Sequence, residues 1–552
     1  MFRRLCLIVN LVAVGLVLMT SPAMIVAQND SSGATVEVLV QGSPMRGSAN
    51  GIFFDNQDRL LVASALGNAI FVVDPESGDI LETWGPEQGV TFPDDVTVGP
   101  DDSVYFTDTV IGNVIRISAG GTVTTLAQGL PNVNPITLSD DGRLYVAQCF
   151  GEMTGVYEII EGADPWLIVG DQPHCATNAM DIGPDGMLYG PRWFEGRIVK
   201  IDPASGEITT VLEGLEIPSA AKFSPDGVLH VLDAARGEVL TLDIVTGESI
   251  VLTTMMPGMD NLAFDSAGRL YVSSYVAGSI VEVLADGTIR TVVQGGLVNT
   301  SGIAVQNGTV YTGGFYGLKG FDAISGEMTF VSPNHLDLSP VGSPLTVSSD
   351  GDNLLLSSWF NNTEKLWSPT DDLLAAEFAD PAVPLNALRF QGDLILAQIG
   401  TSGVVRVNGE DPSQIETLIG DLAVPTGLAA TDDDLWVADW ATGTVWLLIE
   451  DGVGLSAPVA AVTGLMFPEG IAVTSDGQLI VVETGLDRVV AIDLSSGELV
   501  VLAEGLQLSE PSWPGIPVPP SMWFNGVAVD ENGVIYVNAD LANVIYRILP
   551  QE

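Results

Sequence analysis

The sequence predicts an all-β chain of twelve four-stranded blades, most simply arranged as two tandem six-bladed β-propellers. Three observations predict this. A turn signal recurs mostly every 40 to 44 residues, a short apolar run follows each signal, and a second tight turn comes before the next strand. The recurring signals include Asp141-Gly142, Asp185-Gly186, Asp226-Gly227, Asn307-Gly308, Asp350-Gly351 and Asp476-Gly477. Runs such as 144–147, 229–232 and 435–438 follow them, and second turns such as 202–206, 243–247 and 493–497 come next.

No unit leaves room for a helix. The two inner strands of a unit are apolar on both faces, as expected for sheets stacked between neighbouring sheets. Radial stacking satisfies that need, whereas a set of β-sandwiches would not require so regular a period. Units begin near Asn50, Asp94, Asn134, Asn178, Ser219, Asp260, Ser301, Ser343, Asn386, Thr426, Glu469 and Asn525. The last unit stops after its third strand, 546–549, while the opening run 35–42 resembles the fourth strand 288–295. Pairing the chain ends would remove an exposed edge. One ring of twelve would leave a wide hole, so two rings are favoured on size. In that arrangement strand 35–42 is expected to close the first ring and strand 288–295 to pass into the second. The expected domains are then 35–287 and 288–552.

The first 27 residues read as an export signal: Arg3 and Arg4, an apolar run over 5–19, and small residues up to Ala27. An uncleaved anchor is the alternative. The expected location is secreted, periplasmic or cell-surface, with no further membrane span. The 70 acidic residues against 19 basic ones give a net charge of −51, which argues against nucleic acid or anionic lipid as partners. The chain is expected to be monomeric. Outside the signal only Cys149 and Cys175 remain. They end one strand and precede the next on the same face of adjacent blades, so a disulfide is expected. The one long insertion, 507–521, contains Trp513 and reads as a lid or a passive linker.

The units Phe467-Pro-Glu-Gly-Ile-Ala-Val473 and Phe524-Asn-Gly-Val-Ala-Val529 resemble NHL-type repeats. They are also similar to the superfamily of gluconolactonase, regucalcin, paraoxonase and strictosidine synthase. That resemblance implies calcium or another divalent cation, held by oxygen ligands at the positions just before each innermost strand. In the first ring these are Asn50, Asp94, Asn134, Asn178, Ser219 and Asp260. In the second, Asn386, Glu469 and Asn525 accompany Ser301, Ser343 and Thr426. Hydrolytic relatives carry Glu, Asn, Asn and Asp from blades one, three, four and five. Asn134 and Asn178 match the amides, but Asn50 and Ser219 replace the two acids. Asp94 and Asp260 restore the charge from other blades, and either would serve as ligand and general base. The competing reading is a water-filled channel whose polar residues cap strand starts.

Ends of second strands share that face and supply a candidate ligand surface: Asp108, His174, Arg192, Trp193, Asp233, Trp359, Asp439 and Trp440. Aromatics beside carboxylates suit a small organic or sugar-like ligand. Two functions from different classes follow. One is a divalent-metal-dependent lactone or ester hydrolase of the gluconolactonase-like superfamily. The other is a non-catalytic extracytoplasmic propeller recognising a glycan, peptide or protein.

Overall fold

The computed structural model describes residues 34–550 apart from 337, 379–381 and 510–520. The expected export signal and most of the 507–521 insertion therefore lie outside the described residues. Among the described residues no helix is long and apolar enough to cross a membrane.

Among the described residues the strands form twelve antiparallel sheets, eleven of four strands and one of three. We letter strands a to d from the axis outward. Blade one shows the pattern: Ile52–Phe54, Leu60–Ser64, Ala69–Val73 and Ile80–Trp84. Its middle strands are wholly buried, while its outer strand is mostly exposed. This is the burial gradient of a sheet standing edge-on to an axis. Blade three is the three-stranded sheet. Its 16-residue strand Leu144–Ile159 spans the places of strands b and c, with Phe150 in the left-handed region at φ 64°.

Contacts between a strands run in order from blade one to blade six and return to blade one. A separate cycle joins blades seven to twelve and returns to blade seven. Hydrogen bonds seal both closures. Ser273 Oγ of blade six donates to the Asn50 carbonyl at 2.6 Å, and the Gly302 amide of blade seven donates to the Phe524 carbonyl at 2.7 Å.

The closing strand differs from expectation. Thr35–Gln41 pairs with Val544–Leu549 and becomes the d strand of blade twelve, in the second ring rather than the first. Strand Ile289–Val293 stays in its own sheet as the d strand of blade six and is not exchanged. The predicted boundary between 287 and 288 is corrected accordingly. The chain starts in the second ring, builds the whole first ring, and returns. Both crossings lie side by side, with the Ser43 amide donating to the Leu297 carbonyl at 3.3 Å. The physical reason is supply: blade six already has four consecutive strands, whereas blade twelve has three and an open edge.

Cys149 and Cys175 are disulfide-bonded. They face each other across strands of a single sheet, blade three, instead of joining adjacent blades. Both are buried against Trp193 and Ile217. Their 26-residue separation sets the loop that the bond closes in the unfolded chain. Replacing both with alanine is expected to cost about 3 kcal/mol. Urea denaturation would read this as a lower midpoint, and an unchanged midpoint would show that the bond adds nothing to folding.

Candidate functional site

The starts of the a strands converge at one end of the first ring's axis. Asn134 lies beside Asp94 and Asn50 beside Asp260, each close enough to favour the ionised carboxylate. The two carboxylates sit close enough to perturb one another. Burial, then the neighbouring Asp95, pushes Asp94 up to about 7. Asp260 is held well above the ordinary carboxylate range, by burial first and then by Asp94 and Asp95. Asn178 Oδ1 and Ser219 Oγ are buried in the same ring of strand starts with no hydrogen-bond partner. Asp260 remains partly exposed, so water reaches the pair.

Beneath this layer lies a second one. Asp95 accepts from the Ile136 amide at 3.1 Å and from Asn261 Nδ2 at 3.0 Å. Asp181 accepts from the Phe223 amide at 2.9 Å. Burial raises both carboxyls, and Lys222 is the first influence opposing that rise. Lys222 is itself buried, on the a strand Pro218–Phe223. Four carboxyl groups thus share the channel with one ammonium, and their raised values reflect how costly negative charge is in so desolvated a place.

Hard oxygen donors from several strands, with two carboxylates and two orphaned oxygens, suit a divalent cation of the calcium type. Among the described residues no three His, Cys, Asp or Glu side chains group as a metal centre, so the set depends on its amides and hydroxyl.

The equivalent positions of the second ring are closed by their own bonds. Glu469 accepts from the Asn525 amide and Asn525 Nδ2, both at 2.8 Å, and from Ser521. Burial, then Asp540, raises its carboxyl to about 8. Asn525 Oδ1 takes the Asp540 amide and Asn386 Oδ1 takes the Leu428 amide. Ser301 and Thr426 donate to carbonyls of neighbouring blades.

Most of the expected ligand face is also structural. Asp233 accepts the Glu216 and Ile217 amides, and Asp439 accepts those of Ala423 and Val424. Asp108 accepts from Thr91 and from the Ile111 amide. Each acid ties the end of strand b to the turn that leads into its own blade. Arg192 is buried, donating to the Cys175 carbonyl at 3.0 Å and to Gln172 at 2.8 Å. Trp193 packs into the seam between the rings, its Nε1 donating to the His335 carbonyl at 3.4 Å. Trp359 packs in that seam too, against Leu66, Met522 and Trp523. Trp440 stacks on Phe467 with ring centroids 4.2 Å apart. Only His174 stands exposed at the rim, beside Phe194.

Sequence reasoning missed Asp95, Asp181 and Lys222. Lys222 did carry a signal, being a cation within an otherwise apolar strand of a chain with only 19 basic residues.

Residues 98–309 match the family described as SMP-30/Gluconolactonase/LRE-like region. No curated protein matches the chain. Among solved structures, a virginiamycin B lyase from Staphylococcus aureus is 14% identical, covering 50% of this chain and 95% of its own, with a TM-score of 0.35. Regucalcin from Agrobacterium tumefaciens, described as a calcium-binding protein, is 17% identical over 43% of this chain and 84% of its own, with a TM-score of 0.35. A gluconolactonase from Xanthomonas campestris is 17% identical over 44% of this chain and 87% of its own, with a TM-score of 0.36.

Proposed function

We propose that the first ring binds a divalent cation and hydrolyses a lactone or ester outside the cytoplasm, a reading supported by the match of residues 98–309 to the SMP-30/Gluconolactonase/LRE-like region. One observation carries this reading. Asp94 and Asp260 are forced together in a desolvated mouth beside two buried oxygens that lack partners. A purely structural channel would neutralise or hydrogen-bond such groups, as the second ring does with Glu469.

Asp94, Asp260, Asn134 and Asn178 would hold the cation, with Asn50 and Ser219 at the edge of the set. When bound, it would supply Lewis acidity at a lactone or ester carbonyl. The chain's own groups do the rest. Asn134 and Asn50 flank Asp94 and Asp260 and are placed to steady the carboxylates. Asp260, the more accessible acid, is placed to accept a proton from an attacking water. Tyr275, buried, lies near enough to Asp260 to feel its charge.

The test compares wild type with Asp94→Asn/Asp260→Asn. Calcium should raise the unfolding temperature of the wild type only, and hydrolysis across a lactone and ester panel should fall at least about 100-fold in the variant. In chelator the variant should be the more stable protein, since substitution removes buried like-charge repulsion. If the wild type neither binds calcium by calorimetry nor turns over any panel member, the non-catalytic binding propeller becomes the better account. Destabilisation of the variant in chelator would instead mark the two acids as structural.

A further inference from the structure

We propose that the first ring's site is composite: the second ring reaches across the seam and supplies Tyr316 as its roof. This rests on the cation-binding reading above and adds the residue that limits what can enter. Tyr316 lies in the turn between Thr309–Gly313 and Gly317–Asp322 of blade seven. Its hydroxyl faces Asn50 and Ser48 at the entry to blade one, near enough to Asp94 and Asp260 to feel both charges. Its ring meets the ring of Tyr275, in blade six, edge-on at 4.9 Å.

The finger that carries Tyr316 is rigidly held. The Asn334 amide donates to the Tyr316 carbonyl at 3.0 Å, and Asn334 Nδ2 and Ser343 Oγ donate to the Phe315 carbonyl at 3.1 and 2.9 Å. Gly317, at φ 122°, closes the finger where a Cβ would lie 2.2 Å from the Ser332 carbonyl oxygen. No other residue fits there. The rings are pinned together around it. Tyr275 and His335 share a hydrogen bond of 2.6 Å, and Lys319 Nζ donates to the carbonyls of Val276 at 2.6 Å and Gly296 at 2.8 Å.

Tyr316 is nevertheless partly exposed, as is Asp260. Both therefore reach solvent, Tyr316 as the aromatic roof of the proposed site and Asp260 as part of its oxygen-lined floor. The roof does two things. It orients Asn50, whose amide also serves Asp260, which makes Tyr316 a positioning residue. It also restricts the space to a compact ester with an apolar face for the aromatic side and a carbonyl for the floor. A bulky acyl group would have to displace it.

The experiment uses the full chain with Tyr316→Phe and Tyr316→Ala. Calcium affinity is read by calorimetry, and KM and kcat by a series of esters of increasing acyl size. The phenylalanine variant should keep its unfolding temperature in chelator and bind calcium about 5-fold more weakly, the loss of one hydrogen bond. The alanine variant should lower KM for the bulkiest ester relative to the smallest by about 10-fold, the worth of one or two methylenes of room. Wild type that binds calcium and turns over esters, with both variants matching it, would overturn the composite site and leave the hydrolase reading intact. Wild type without calcium binding or turnover would overturn both.

Discussion

A chain that begins at Ser43 is expected to keep its first ring and lose the cooperative folding of its second. All strands of blades one to six lie between Ile52 and Val293, so the first ring loses none of them. Blade twelve loses its outer strand, which faces Val544–Leu549 at six register positions. Val40 leaves a cluster with Leu297, Ile303, Phe321 and Tyr536, which joins blade twelve to blade seven. Val36 leaves the opposite cluster, shared with Val489 and Ala503 of blade eleven. Arg547 loses Glu37 and is left holding only the Ala323 and Ile324 carbonyls.

Each valine is worth about 1.5–3 kcal/mol if fully buried, and the unpaired edge adds to the loss. The total is a large share of a stability that is ordinarily about 5–15 kcal/mol. Limited proteolysis should cut the shortened chain beyond Leu297 while sparing the first ring. Calorimetry should show the second ring's unfolding broadened or missing. A chain beginning at Ala34 should behave as the full protein, and a peptide of residues 34–42 should restore the shortened one. Resistance of the second ring without this strand would mean that ring closure there does not depend on it.

That strand also shows what could be read in the sequence and what could not. The repeat was legible because each blade writes the same turn chemistry and the same apolar runs, and the count of twelve sheets follows from it. The missing outer strand of the last unit was legible for the same reason. Which ring the opening strand joins was not, since 35–42 and 288–295 carry nearly the same pattern and either could serve any open edge. The converging Asp94 and Asp260 were legible by register, because equivalent positions in successive blades must meet at an axis. Asp108, Asp233 and Asp439 misled for a related reason. An acid at a strand end looks the same whether it faces a ligand or caps a turn. Their spacing does carry a signal, since each lies 15 to 17 residues after the turn it holds. Tyr316 could be read as an aromatic of the second ring's ligand face, but its approach to Asn50 could not, because that depends on how two rings dock and no local spacing encodes it.

Replacing Glu364 with glutamine should stabilise the protein at pH 8 and change little at pH 5. Glu364 sits on the strand Thr363–Ser368 of blade eight, opposite Ser357, and is completely buried. Neither of its oxygens has a hydrogen bond of normal geometry. Burial raises its carboxyl from 4.5 to about 8, outweighing the pull of Ser357 and Arg389. The folded chain therefore holds a proton that the unfolded chain gives up across this interval. Stability tied to that proton is fully present below about pH 4.5 and is lost as pH rises through about 8. The loss amounts to roughly 3–5 kcal/mol for a shift of this size. Glutamine keeps the shape and cannot ionise, so the difference between the two proteins should open between pH 5 and pH 8 in the variant's favour. Urea midpoints measured at both values decide it, and curves that stay parallel would show that this side chain reaches solvent or a partner when it ionises.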